Sequence, residues 1–293
     1  MVSLFGSLLT SSQVNKCDQD ADELDVQMLH RSMVGSDSLR DNSNGRGEPK
    51  MCAEFMIRAS SQKICTGLGL PPRQEEVDWN LHARLYSKSP VVIRKANAAV
   101  VKAMGFSLKP KGTPYPTFNT RLMSWDEKKA KIVRFFEKPT WKGPVREHRC
   151  LVPISGFIEP IYSGEHAGEM VEFEPESREI LYSAGLYSDE VDKATGKIYE
   201  GFSLMIHTPS EFVLKTGHHR QPVFLKPGKA KDWIRSEIVE PEWAFEFLRE
   251  HRYMPAIRVE TVRQMARGWE KRVADSDRKH RTELEFIARI KEL

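Results

Sequence analysis

Cysteine is scarce in this chain: four in 293 residues (Cys17, Cys52, Cys65 and Cys150), with no Cys-x-x-Cys pair among them. That spacing excludes the disulfide framework of a small secreted domain and the ligand pattern of a zinc ribbon, and it points to a reduced, cytoplasmic setting. Long apolar runs are missing too. No stretch reaches the roughly 18 apolar residues that a membrane span needs, and Met1-Val2-Ser3-Leu4-Phe5-Gly6 has no basic n-region. No membrane partner is expected. Strong charge excess is absent as well: 45 Lys and Arg against 41 Asp and Glu leave a formal charge of +4. This suits a polyanionic partner but falls short of a histone-like binder. With 40% hydrophobic residues, the chain can bury one full core and carry appendages.

Residues 1–50 are read as a disordered leader or as translation from a start upstream of the true one. From Ser11 to Lys50 the composition is polar and rich in Asp, Ser, Asn and Gly, too poor in apolar surface to order itself. β-favouring residues begin at Met51-Cys52-Ala53-Glu54-Phe55. Strands are predicted at Pro90–Arg94 and Val100–Phe106, joined through Asn97, and at Arg149–Pro153, Ile180–Tyr187 and Phe202–Ile206. Between them, Ala130, Ile132, Val133, Phe135 and Phe136 alternate with lysines and glutamates, which predicts an amphipathic helix from Trp125 to Trp141. Two further helices are expected at Lys229–Ser236 and Pro241–His251. Residues 263–293 form a charged extension whose Glu283–Ile290 stretch predicts an amphipathic helix, read as an appendage. With no internal repeat, the fold class is α+β: a bent, mostly antiparallel, barrel-like sheet with peripheral helices, in a domain spanning 51–262.

Four separated segments each carry one reactive side chain, the pattern of a site assembled from different strands. An internal cysteine beside a strand is ordinarily an inert packing residue, but Cys52 directly follows Met51. If translation starts at Met51, or the leader is cleaved, methionine removal leaves an α-amine and a thiol on one residue. An α-amine with a pKa of about 8 can form an imine with an aldehyde, and the thiol then closes a five-membered ring. Asn119 and Arg121 follow a Pro-rich stretch; an ordinary turn accounts for Asn119, while the functional reading has it orient the aldehyde or amine as Arg121 holds a phosphate. Glu159 ends the apolar run Cys150–Ile158. It is either a surface residue at a strand end or, in apolar surroundings, a proton-exchanging acid. His218 and His219 are adjacent, so in extended structure at most one enters a given pocket, where it would carry protons.

These segments resemble the SRAP family, the SOS response-associated peptidases that include abasic site processing proteins. Met51-Cys52-Ala53-Glu54-Phe55 is similar to the family start Met-Cys-Gly-Arg-Phe. Leu85 to Pro90 is similar to Tyr-Asn-x-Ala-Pro, and Met104-Gly105-Phe106 with Pro110 to Trp-Gly-Leu-x-Pro. Asn119 and Arg121 match Asn-x-Arg-x-Glu-Thr, Arg149 through Glu159 match Arg-Cys-Leu-x-Pro-x-x-Gly-Phe-x-Glu-Trp, and His218, Arg220 and Pro222 match His-x-Arg-x-Pro. The resemblance implies a SRAP-type fold and a catalytic set of Cys52, Asn119, Glu159 and His218. In this family the terminal cysteine forms a thiazolidine with the ring-opened sugar of an abasic site in single-stranded DNA, within the DNA damage response. Glu159 would assist ring opening, His218 would move protons and Asn119 would hold the terminus. The partner implied is abasic single-stranded DNA, bound by a cytoplasmic monomer that becomes nucleoid-associated on DNA. No cofactor is implied; lyase-like and autoproteolytic activity are.

Departures mark a divergent member. Glu54 replaces a basic residue and is expected to weaken DNA binding. Met123 stands in place of Glu, Ser87 of Asn and Pro160 of Trp. Lys128 and Lys129, with Lys131 and Arg134, would supply substitute phosphate contacts alongside Arg121 and Arg220. Two other readings stay open: a cysteine peptidase with Cys52 as nucleophile and His218 as base, and a non-catalytic single-strand binder. A metal site from His148, Cys150, His218 and His219 fits no common ligand spacing.

Overall fold

The computed structural model describes residues 54–71, 78–95, 98–109, 116–191, 198–235 and 237–291. Cys52, Asn97 and Pro110 lie outside them. In chain order the strands are β1 (Glu54–Met56), β2 (His82–Arg84), β3 (Lys88–Lys95), β4 (Ala98–Phe106), β5 (Asn119–Arg121), β6 (Met123–Asp126), β7 (Lys131–Arg134), β8 (Arg149–Ile154), β9 (Gly156–Ile161), β10 (Glu169–Pro175), β11 (Leu181–Val191), β12 (Ile198–His207), β13 (Gln221–Pro222) and β14 (Ile257–Gln264). The helices are α1 (Ser61–Gly67), α2 (Pro139–Glu147), α3 (Glu211–Lys215), α4 (Ala230–Trp233), α5 (Pro241–His251) and α6 (Val273–Lys291).

β11, β8, β3, β4 and β12 pair in that order, and β12 returns to β11, closing a five-stranded barrel. Every pairing in it is antiparallel except β4 with β12. A second sheet runs β14-β10-β9-β1-β2. The barrel strands are apolar on both faces, as strands covered on both sides must be. Along β3, Val91 and Ile93 enter the core shared with Phe157 and Phe173 of the second sheet. Val92, between them, enters the core beneath Trp141, Trp233 and Phe245 of the helices. The α+β, barrel-like expectation is therefore met, and no helix among the described residues is long and apolar enough to cross a membrane.

The predicted helix from Trp125 to Trp141 does not form. Its first half is a hairpin in which Met123 pairs with Arg134 and Trp125 with Ile132. Asp126 Oδ1 accepts the backbone N–H groups of Lys128 and Lys129 at 3.1 and 3.2 Å, and Ala130 turns through φ 47°. A side chain bonding its own downstream backbone competes with helix here. Pro139, which has no N–H and restricts its predecessor, then starts α2 as a new element. The helix expected at Lys229–Ser236 shortens to α4, whereas the one at Pro241–His251 is observed over that range. The helix expected as an appendage is longer than predicted and packs on the domain, with Glu283 and Phe286 buried.

Candidate active site

β12 organises the site. At Ile206 it pairs with Arg121 of β5 on one edge and with Pro222 of β13 on the other, so the Asn119–Arg121 and His218–Pro222 segments flank one strand end. Thr120 turns inward to Ser203, Oγ1 to Oγ at 2.8 Å. Strand alternation therefore directs Asn119 and Arg121 to the opposite face.

Glu159 arrives on β9 from the second sheet and is 1% exposed. The motif glycine before it has a steric role: a Cβ on Gly156 would run into the Glu172 carboxylate, which pairs with both terminal nitrogens of Arg58 at 2.6 and 2.7 Å. Gly217 has φ +101°, and a Cβ there would lie 2.8 Å from the Ser163 carbonyl oxygen. Only glycine lets the chain turn so closely against the end of β9. That turn delivers His218, whose Nε2 lies 3.5 Å from Glu159 Oε2.

The two histidines depart from the extended-chain expectation. Both are buried, and their rings stack with centroids 5.0 Å apart. The turn at Gly217 breaks strand alternation, so adjacent side chains share one side. Burial pushes His218 down to about 3, Arg220 adds to the effect and a hydrogen bond to the Pro160 carbonyl opposes it. Burial likewise holds His219 at about 2, reinforced by His218 and Arg220. Both imidazoles are neutral at pH 7 and offer lone pairs rather than charge.

Arg121 and Arg220 converge from opposite edges of β12 on one carboxylate, Glu283 of α6. Arg121 Nη2 donates to Glu283 Oε2 at 2.7 Å, and Arg220 Nη1 contacts the same oxygen. Burial, and then Arg220, lower Arg121 to about 10, which leaves it charged at neutrality. Three features of this region were not anticipated. Glu283 is fully buried. Lys138, lowered by burial and by Arg121, donates to Ser124 Oγ at 3.2 Å. Tyr86, 63% exposed, packs edge-on against Phe118 beside Asn119. Nothing in the helical periodicity flags Glu283, because a carboxylate on a charged helix reads as solvated.

Lys128 and Lys129 occupy the exposed turn between β6 and β7 rather than a helix face. Glu54 is not a free negative charge: burial would raise its pKa, but hydrogen bonds from His82 (3.0 Å) and Arg263 (2.8 Å) prevail and hold it at about 2. Cys150 is fully buried in the core and its thiol is pushed up by desolvation, the signature of a packing residue. Among the described residues no group of three or more His, Cys, Asp or Glu is placed to hold a metal. A cavity of about 610 Å³, lined by residues such as Lys63, Leu68, Tyr182 and Lys231, includes none of Asn119, Arg121, Glu159, His218 or Arg220 in its wall.

A closed mixed barrel with a second sheet packed against it defines an α+β class found in solved structures. Similar ones include a protein from Bacteroides thetaiotaomicron (20% identical, covering 72% of this chain and 92% of that one, TM-score 0.56). Another is a phage-related protein from Bordetella bronchiseptica (20% identical, 73% and 95% covered, TM-score 0.54). At these identities the likeness shows the fold alone. The chain belongs to the SOS response associated peptidase (SRAP) family, whose profile matches residues 51–265. It is also 24% identical over 107 residues to a Bacillus subtilis protein named abasic site processing protein YobE, a match spanning 36% of this chain and 48% of that protein.

Proposed function

We propose that this protein acts in the DNA damage response by recognising abasic sites in single-stranded DNA and bonding to them through Cys52. The observation that carries this reading is the buried pair of Glu159 and His218, Oε2 to Nε2 at 3.5 Å, with Glu159 on the strand that β1 joins through Glu54 and Ile158. Cys52 itself lies outside the described residues. The name of the Bacillus subtilis relative supports the same substrate class.

Family membership and this geometry suggest a division of labour. Glu159 gives a proton to the ring oxygen of the abasic sugar as the C1–O bond breaks, and its carboxylate takes the C1 hydroxyl proton as the aldehyde forms. The α-amine of Cys52 adds to the C1 aldehyde and water leaves, forming an imine. The thiol adds across that C=N bond, its proton passing to nitrogen through the neutral His218, and a thiazolidine results. Asn119 holds the amine, while Arg121 and Arg220 take flanking phosphates through charge-assisted hydrogen bonds. The reading requires a Cys52 with a free α-amine, one monomer and no cofactor.

Protein beginning at Cys52, incubated with an abasic single-stranded oligonucleotide, is expected to give an adduct that survives denaturing electrophoresis. Cys52→Ala and N-acetylated protein should give none. An equal adduct from Cys52→Ala removes the assignment, and an undiminished one after acetylation favours a thiolate peptidase-type nucleophile.

A further inference from the structure

α6 lies beyond the family match, which ends at residue 265, and its inward face carries a buried charge beside its apolar residues. Leu284 is 44% exposed, whereas its neighbour Glu283 is completely buried and Phe286 is 2% exposed. Helical spacing places Ser276, His280, Glu283, Ile287 and Ile290 along one face, with Phe286 at its edge. Polar side chains sit among apolar ones there, and the most deeply buried of them all is the carboxylate of Glu283. A carboxylate withdrawn from water requires compensating charge and hydrogen bonds, and Glu283 finds both in Arg121 and Arg220. The Phe286 ring lies under the Arg121 guanidinium, 4.9 Å from its centroid, and Arg289 covers Trp125 at 4.1 Å. Lys279 adds its charge to the surroundings of His219.

We infer that α6 is a built-in competitor for the DNA backbone: Glu283 fills the phosphate position between Arg121 and Arg220, and single-stranded DNA must displace the helix to engage this site. The inference rests on the assignment of those arginines to phosphate given above. The chemistry matches on both sides. A phosphodiester, like a carboxylate, presents one negative charge shared by two oxygens, and Phe286 lies on Arg121 as a nucleobase stacks on guanidinium. The arginines belong to the family domain and stay in place, while the anion arrives on a segment outside it. Displacement exchanges one set of charge-assisted bonds for another, so the helix sets a threshold for binding without blocking it permanently.

Fluorescence anisotropy on the full chain with a labelled, undamaged single-stranded oligonucleotide tests this apart from any covalent step. Glu283→Gln keeps the side chain's bulk and removes its charge. It should bind about tenfold more tightly than wild type, an ordinary coupling between competing ligands. Arg121→Gln should bind more weakly than wild type. If Arg121→Gln weakens binding but Glu283→Gln leaves it equal or weaker, the helix is a fixed prop and the inference fails alone. If Arg121→Gln binds as wild type does, the phosphate assignment fails and the inference falls with it. Hydrogen exchange on wild-type protein gives a second reading that does not depend on any variant folding. Saturation with the oligonucleotide should speed exchange of the Val273–Lys291 amides, and unchanged or slower exchange overturns displacement.

Discussion

Arg149 shows how a motif residue acquires its physical meaning. In the sequence it opens the run that ends in the candidate acid Glu159; in the structure it is 3% exposed and meets no substrate-facing group. Its guanidinium donates to the carbonyls of Trp233 (2.8 Å), Val145 (3.0 Å), Arg235 (2.9 Å), Glu237 (3.0 Å) and Arg146. It thereby ties the C-terminal end of α2 to the chain around α4. Burial lowers it to about 10, and the carbonyl dipoles keep its charge tolerable. Arg149→Ala should destabilise the fold by about 3–5 kcal/mol, since each carbonyl left without a donor costs on the order of 1–3 kcal/mol. Arg149→Lys should recover only part of that, because an ammonium cannot span five acceptors. Urea unfolding of both variants measures the difference, and a loss under about 1 kcal/mol for Arg149→Ala would mean water replaces the guanidinium. Pro160, where the family has Trp, pairs among the described residues with Met170 of β10, and its carbonyl still accepts from His218.

At the scale of elements, the hairpin β6–β7 and the helix α6 are where periodicity misleads. A pattern of Ile132, Val133, Phe135 and Phe136 fits a helical stripe, yet Asp126 diverts the backbone into a turn that only Ala130, at φ 47°, completes. A left-handed alanine costs roughly 1–2 kcal/mol. Ala130→Gly should therefore raise stability by about 0.5–1 kcal/mol after the extra unfolded-state entropy of glycine is subtracted. Thermal melting checks this; a lowered midpoint would show that the turn is not left-handed in solution. In α6 the expected helix exists, but its buried face combines Phe286 with a carboxylate, Glu283, that Arg121 and Arg220 compensate. Strands with both faces covered, such as β3, β8 and β12, were readable because continuous apolar runs bounded by Gly and Pro leave few alternatives.

For the whole molecule, three buried histidines govern acid stability. Burial holds His207 and His218 at about 3 and His219 at about 2, below the ordinary value of 6.5. The unfolded chain therefore takes up protons first, and the stabilisation, complete above pH 6.5, is lost as the pH falls towards those folded-state values. Each histidine contributes about 1.4 kcal/mol per pH unit within that window. Glu54, held at about 2, acts in the same direction below its ordinary 4.5. Urea midpoints measured from about pH 7.5 down to about pH 4.5 should fall ever more steeply below pH 6.5, with proton uptake on unfolding approaching one for each of these three histidines. A flat profile down to about pH 5 would mean that the imidazoles are hydrated in the folded protein.

The sequence by itself determined the α+β class, the main strands and the spacing of Asn119, Glu159, His218 and Arg220, because strand periodicity and short motifs are written in neighbouring residues. It could not determine that Arg121 and Arg220 meet across the end of β12, that His218 and His219 stack, or that a carboxylate from the last helix lies between two arginines. Those facts depend on pairings between residues far apart in the chain. A buried charge is stable only where distant partners happen to compensate it, and only the tertiary structure brings them together.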